Sequence, residues 1–202
     1  MSLTIIMDFK AVKYFILRKL QTELPSGLYY HGIHHTMDVL EAVEEISASE
    51  QIRGKNLILL KTAALFHDSG FIETYKEHEA AGCKIARRSL PDFGYSDRDI
   101  EVICGMIMAT KMPQNPHNHL EQIICDADLL YLGQDNFFQI GNTLYDEFKE
   151  LGVLSNEEEW NRLQVRFLEN HSYFTESANA ISAQRKKDHL QVVKDIVSRY
   201  AA

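Results

Sequence analysis

The sequence predicts an all-α helical bundle, and three observations lead there. Apolar residues recur at helical spacing along most of the chain. No segment alternates apolar and polar residues with the period of two that a half-buried strand needs. Helix start and stop signals punctuate the sequence at intervals of one helix length.

Asp8 is placed to cap a first helix whose inward residues are Phe9, Val12, Phe15, Ile16 and Leu20, and Pro25-Ser26-Gly27 stops it. A second helix is expected from about His34 to Ala48, with Val39, Leu40, Val43 and Ile46 on one side. The third, from about Asn56 to His67, is apolar nearly all round (Leu57 to Leu60, Ala63 to Phe66), which places it inside a bundle. A fourth should run from about Tyr75 to Leu90, ahead of Pro91. Ser96 and Asp99 form a capping box for a fifth helix carrying Ile100, Ile103, Ile107 and Met108. Pro113, Asn115, Pro116 and Asn118 make a loop. A sixth helix is expected from Leu120 to about Leu132, a seventh from Phe137 to about Leu151, and an eighth behind a Ser155–Glu158 capping box to about Asn170. The ninth, Glu176 to Tyr200, is long and well charged.

At 202 residues the chain is expected to form one domain, with a motif-bearing core at about 29–132 and a helical extension at about 133–202. It carries 21 basic and 29 acidic residues, a net charge of −8. That balance argues against a duplex nucleic-acid partner, which needs a basic face, and is compatible with a small anionic substrate held by local cations. The three cysteines, Cys83, Cys104 and Cys125, form no C-x-x-C pair and sit among apolar neighbours, so buried free thiols are expected. Reduced thiols fit the cytoplasm. No apolar run is long enough to span a membrane, and no basic segment followed by an apolar stretch opens the chain as a leader would.

The chemistry lies in separated pieces. Among the nine histidines, His31, His34 and His35 cluster, and His67 is followed at once by Asp68. Leu65-Phe66 puts that doublet beside the core, where each polar group needs a partner, and Ser69-Gly70 breaks the helix so that it can face a cleft. Read alone, the doublet fits equally a histidine capping its own helix and an aspartate paired to an arginine. Asp126 and Asp128 interrupt another apolar stretch. At about 100° per residue they point to nearly opposite sides of a helix, so one can be a metal ligand and the other a cap or outer acceptor. His31 and His35, four apart, share a helix face; His34 is rotated away and is expected at the surface.

His35, His67-Asp68 and Asp128, in that order, resemble the H…HD…D signature of the HD superfamily of metal-dependent phosphohydrolases. Tyr30-His31-Gly32-Ile33-His34-His35-Thr36-Met37-Asp38-Val39 is also similar to the Y-H-N-x-x-H-x-x-D/N-V stretch of the cyclic-nucleotide phosphodiesterases, with Gly32 where that family has asparagine. Ala127-Asp128-Leu129-Leu130 resembles the A-D-R-L segment of relatives, which favours Asp128 over Asp126 as the last ligand. The resemblance covers roughly residues 29 to 132. It implies an HD-domain helical bundle, a metal held by His35, His67, Asp68 and Asp128, and His31 as general acid.

Two imidazoles and two carboxylates suit Mn, Fe, Zn, Co or Ni and tolerate Mg, most simply one ion per chain. Such an ion lowers the pKa of bound water towards about 7 and neutralises phosphate charge, while a histidine outside the ligand set can protonate the leaving alkoxide. His78-Glu79-Ala80-Ala81-Gly82 resembles the H-x-x-x-G context in which some two-metal relatives bind a second ion. The paired histidines that complete that site are replaced by Met106-Ile107-Met108-Ala109-Thr110-Lys111. His78 and Glu79 are therefore expected to orient water or touch phosphate, and Lys111 is a candidate phosphate contact. Glu73 is a candidate for activating water, with an exposed loop carboxylate the commoner outcome. His117, His119, His171 and His189 are expected to be surface or packing residues.

The resemblance thus implies hydrolysis of a phosphoester, of a nucleotide in the first place, with the His31–His35 stretch favouring a diester. Two alternatives stand beside it: an HD-type di-iron oxygenase, which needs a filled second site, and a nucleotide sensor that keeps its metal as structure. The last helix and the Phe137–Leu151 stretch are expected to cover the bundle or to form a homodimer face.

Overall fold

The computed structural model describes residues 7–201, and among them there is no β-strand. The α-helices are α1 (Phe9–Glu23), α2 (Ile33–Ser49), α3 (Gly54–Phe66), α4 (His78–Ser89), α5 (Asp97–Ala109), α6 (His119–Asp128), α7 (Phe137–Glu150), α8 (Glu157–Asn170) and α9 (Glu176–Ser198). Short 3-10 turns follow α3 (Ser69–Ile72), α4 (Leu90–Phe93), α6 (Leu130–Gly133) and α9 (Arg199–Ala201). No helix among the described residues is long and apolar enough to cross a membrane.

The described residues form two compact units. One holds the chain up to Ser26 together with His31–Asp128; the other holds Gly27–Tyr30 and the chain from Leu129 onward. In the first, α3 packs against α1, α2, α5 and α6. Leu59, Leu60, Ala63, Ala64, Leu65 and Phe66 are all buried, as an all-round apolar helix requires. Asp8 caps α1 by accepting the Ala11 N–H at 2.9 Å. The Ser96–Asp99 capping box opens α5 as the sequence predicts.

In the second unit α9 packs along α8 and against the Leu130–Gly133 turn. Leu129, Leu132, Phe137, Leu168 and Val193 form its buried apolar cluster. Gly133 lies so close to α9 that a Cβ there would sit 2.2 Å from the Ser182 carbonyl oxygen. The fully buried Glu147 accepts the backbone N–H of Tyr30 at 2.9 Å, which ties the 27–30 segment to α7.

Three elements differ from the sequence expectation. α4 starts at His78 and not at Tyr75, because Glu77 adopts a left-handed backbone with φ of 58°. A non-glycine residue there breaks the helical run. α6 ends at Asp128, and the chain continues as a 3-10 turn, so the last expected turn of that helix is absent. The cap of α8 is Asn156, which accepts the Glu159 N–H at 3.0 Å, while Glu159 in turn accepts the Ser155 N–H at 2.8 Å. The expected Ser155–Glu158 box is thus absent: the cap lies one residue later, with a side-chain amide oxygen as acceptor, and Glu159 reaches back past it to Ser155.

Candidate metal centre

The first unit delivers its motif residues from helix ends. His35 lies in the first turn of α2, and His67 and Asp68 directly follow α3. Asp128 is the last residue of α6, and His78 and Glu79 open α4. Side chains at helix ends can converge without interrupting the apolar packing of the helix bodies.

Three of them meet at a point. His35 Nε2 lies 3.1 Å from Asp128 Oδ1 and 3.3 Å from His67 Nε2, and His67 Nε2 lies 3.5 Å from the same Asp128 oxygen. Asp68 Oδ2 joins them, 3.2 Å from His67 Nε2 and 3.5 Å from His35 Nε2. His35, His67 and Asp68 are buried, while the Asp128 side chain is 15% exposed.

The arrangement fits a cation. Asp68 Oδ2 is buried and has no hydrogen-bond partner, which is costly for a carboxylate oxygen unless something positive faces it. His67 Nδ1 lies 2.8 Å from the Ala64 carbonyl oxygen. A carbonyl only accepts, so Nδ1 carries the proton, and in the neutral ring the Nε2 lone pair points at the cluster. Donors about 2.0–2.2 Å from one ion stand roughly 3 to 3.5 Å apart, the spacing seen between these atoms. His35, His67 and Asp128 form the group whose donor atoms all lie within 4.8 Å of one another. Asp68 and the fully buried Asp126 lie outside that set, Asp68 touching it through its contacts with His35 and His67, Asp126 in keeping with its opposite direction on α6.

Electrostatics points the same way. Burial opposes the charged form of His67, but the nearby carboxylates of Asp68 and Asp128 outweigh it and raise its pKa well above the ordinary histidine value. Burial likewise opposes ionisation of Asp128, yet His35 and His67 hold its pKa down to about 2. Asp68 is held well below the usual carboxylate range, burial being outweighed by His67, His78 and His31. Such a concentration of shifted groups in one cleft marks a functional site.

Beside this cluster stands a second group. His78 Nε2 lies 3.4 Å from Asp68 Oδ1 and 3.5 Å from Glu79 Oε1. His78 Nδ1 lies 3.3 Å from the Tyr75 carbonyl oxygen, to which it donates. Asp68 therefore turns one oxygen to His35 and His67 and the other to His78. His31 is half-buried, with its ring edge-on to His35 at a centroid distance of 6.2 Å and in contact with Phe71.

The other candidates fall elsewhere. Lys111 is paired with Glu77 at 2.5 Å, both exposed, next in sequence to His78. Glu73 is exposed and bound to Arg88. His34 is exposed. His117 and His119 lie at the proline loop, where His119 pairs with Glu50 at 3.2 Å. His171 and His189 belong to the second unit, where His189 donates to the Leu132 carbonyl at 2.9 Å and stacks on Phe137. Phe71 and Tyr75 stand against His31 and His78 and are missed by the motif reading; the trace in the sequence is an aromatic residue in the short turn just after His67-Asp68.

The HD domain family model matches residues 32–132. The chain belongs to the HD domain family. The match begins just before His35 and ends just after Asp128, so it spans the four converging groups. A crystal structure of a predicted HD superfamily hydrolase from an uncultured Thermotogales bacterium is similar at a TM-score of 0.62 and 18% identity, covering 95% of this chain and 92% of that one. A structure of a Lactobacillus plantarum protein is similar at a TM-score of 0.67 and 14% identity, covering 97% and 99%. At such identities the likeness shows the shared fold. No curated protein matches the sequence.

Proposed function

We propose that this HD-domain chain is a metal-dependent phosphohydrolase that cleaves a phosphoester of a nucleotide, with His35, His67, Asp68 and Asp128 as ligands to one divalent metal. The observation that carries the reading is the presence of two histidines outside the ligand set, His31 and His78, beside the His35–His67–Asp68–Asp128 cluster. A divalent ion there supplies Lewis acidity, lowering the pKa of coordinated water and offsetting phosphate charge. His67 is held in one tautomer by the Ala64 carbonyl, so its lone pair stays on the ligand side. His31 protonates the leaving oxygen. His78 and Glu79 orient the attacking water or touch the phosphate. Lys111 meets the phosphate by exchanging its exposed partner Glu77 for the substrate.

The division of Asp68 between two histidine groups favours a second reading as well, an HD-type di-iron oxygenase in which His78 and Glu79 help to hold another ion. Elemental analysis of fresh protein, paired with turnover of nucleotide mono- and diesters after Mn²⁺ reconstitution, separates them. About one transition metal per chain with release of phosphate, nucleoside or mononucleotide supports the hydrolase. Two irons per chain without hydrolysis moves the assignment to the oxygenase. No metal after reconstitution overturns both.

A further inference from the structure

Phe71 is 3% exposed in the Ser69–Ile72 turn. Its ring stacks on His78 at a centroid distance of 3.9 Å and 19° between planes. It lies 4.3 Å from the His31 ring at 31°, and it meets Tyr75 edge-on at 5.2 Å. His31 and His78 are themselves 6.2 Å apart, so both rings lean on one aromatic side chain.

The backbone under Phe71 has little freedom. Its N–H donates to the Asp68 carbonyl at 3.1 Å. A Cβ on the preceding Gly70 would sit 1.8 Å from the His78 carbonyl oxygen and 2.6 Å from the Gly82 nitrogen, so this turn is pressed onto α4. A rigid turn thus carries a rigid ring against the two histidines that are not ligands. Histidine χ2 is a broad torsion, and a stacked neighbour narrows it.

We propose that Phe71 is the positioning residue that fixes the imidazole planes of His31 and His78 so that both face one phosphoryl group at the metal centre. This rests on the phosphohydrolase reading. Phe71 touches neither metal nor substrate and acts through the two rings.

The test compares Phe71→Leu, which stays apolar but has no plane, with Phe71→Tyr, which restores the ring. Phe71→Met takes the place of the leucine variant if that one is not recovered folded. Metal content is expected to be unchanged in all of them. On a nucleotide diester with a poor leaving group, kcat is expected to fall about tenfold or more in Phe71→Leu, with KM little changed and with recovery in Phe71→Tyr. In a His31→Ala background, Phe71→Leu is expected to add less than it does alone. Independently of turnover, ¹⁵N side-chain spectra of zinc-loaded protein should show the His31 and His78 tautomers averaging in Phe71→Leu, while His35 and His67 stay fixed. An unchanged kcat with unchanged His31 and His78 signals overturns the proposal, as does loss of metal from the leucine variant. Wild-type protein that hydrolyses no phosphomonoester or phosphodiester overturns the phosphohydrolase reading instead, and the spectra still decide whether Phe71 holds the two rings.

Discussion

His67 donates from Nδ1 to the carbonyl of Ala64 at 2.8 Å, three residues back on the same helix. This contact is the helix-capping role that an isolated His-Asp doublet suggests, and it is also what aims Nε2 at His35 and Asp128. Capping uses Nδ1 and leaves Nε2 for the proposed metal, so the capping contact does not compete with the proposed ligand role.

His67→Ala should therefore remove a donor that nothing nearby replaces. The loss in metal affinity is expected to exceed the roughly 10- to 100-fold typical of disturbing a residue behind a ligand. Asp128→Ala should do the same, because its Oδ1 faces both histidines at 3.1 and 3.5 Å. Elemental analysis of the purified variants checks this; full metal content in either would refute the ligand assignment.

Removing the metal should change the pH dependence of stability. The His67 pKa is raised in the folded protein, so its contribution is complete below the unfolded value of about 6.5 and is lost as pH rises through the folded one. Asp128 and Asp68 are depressed, so theirs is complete above the unfolded value of about 3.9 and is lost as pH falls, for Asp128 through about 2. Chelator-treated protein should then be most stable between roughly pH 4 and 6.5, whereas metal affinity should climb with pH as the proton leaves His67. Thermal melts across pH, with and without Mn²⁺, measure both slopes. A metal affinity that does not rise with pH would contradict the coupling.

Much of this cluster was legible because its members are polar residues set at the ends of apolar helices. His67-Asp68 after Leu65-Phe66, and Asp128 after Ile123-Ile124, could not be buried there without partners. The breaks that shape the site were less legible. Nothing in Glu77 announces a left-handed backbone, which the Lys111 ion pair accompanies and which starts α4 at His78. The end of α6 at Asp128 precedes Leu129-Leu130, residues that continue a helix by propensity alone; their packing in the second unit is a tertiary effect. Phe71 stayed hidden because an apolar residue after a glycine reads as core, and only the fold brings His31 and His78 to it.

His31→Ala should separate leaving groups. With a nucleotide or alkyl leaving group of high pKa, the rate should fall by about 10²–10⁴, the usual contribution of a positioned acid. With p-nitrophenolate, which departs without protonation, the loss should be far smaller. Metal content should be unaffected, since His31 is outside the proposed ligand set and stands ring edge to ring with His35 at 6.2 Å. Equal losses on both substrates would assign His31 to binding and not to proton transfer.

Gly70→Ala should unfold the site before any chemistry is tested. Its Cβ would lie 1.8 Å from the His78 carbonyl oxygen, a backbone atom that cannot turn aside. The Ser69–Ile72 turn and the start of α4 would have to part, carrying Phe71 and His78 away from Asp68. A loss of about 3 kcal/mol or more is expected, in the range reserved for severe overpacking. Gly152 gives the contrast. It has φ of 67° but nothing within 4 Å of a Cβ, so Gly152→Ala should cost only about 1–2 kcal/mol of left-handed backbone strain and leave metal content intact. Melting both variants with metal bound compares a clash with a strain. If Gly70→Ala melts like wild type, the turn is not pressed onto α4, and the rigid support for Phe71 is lost with it.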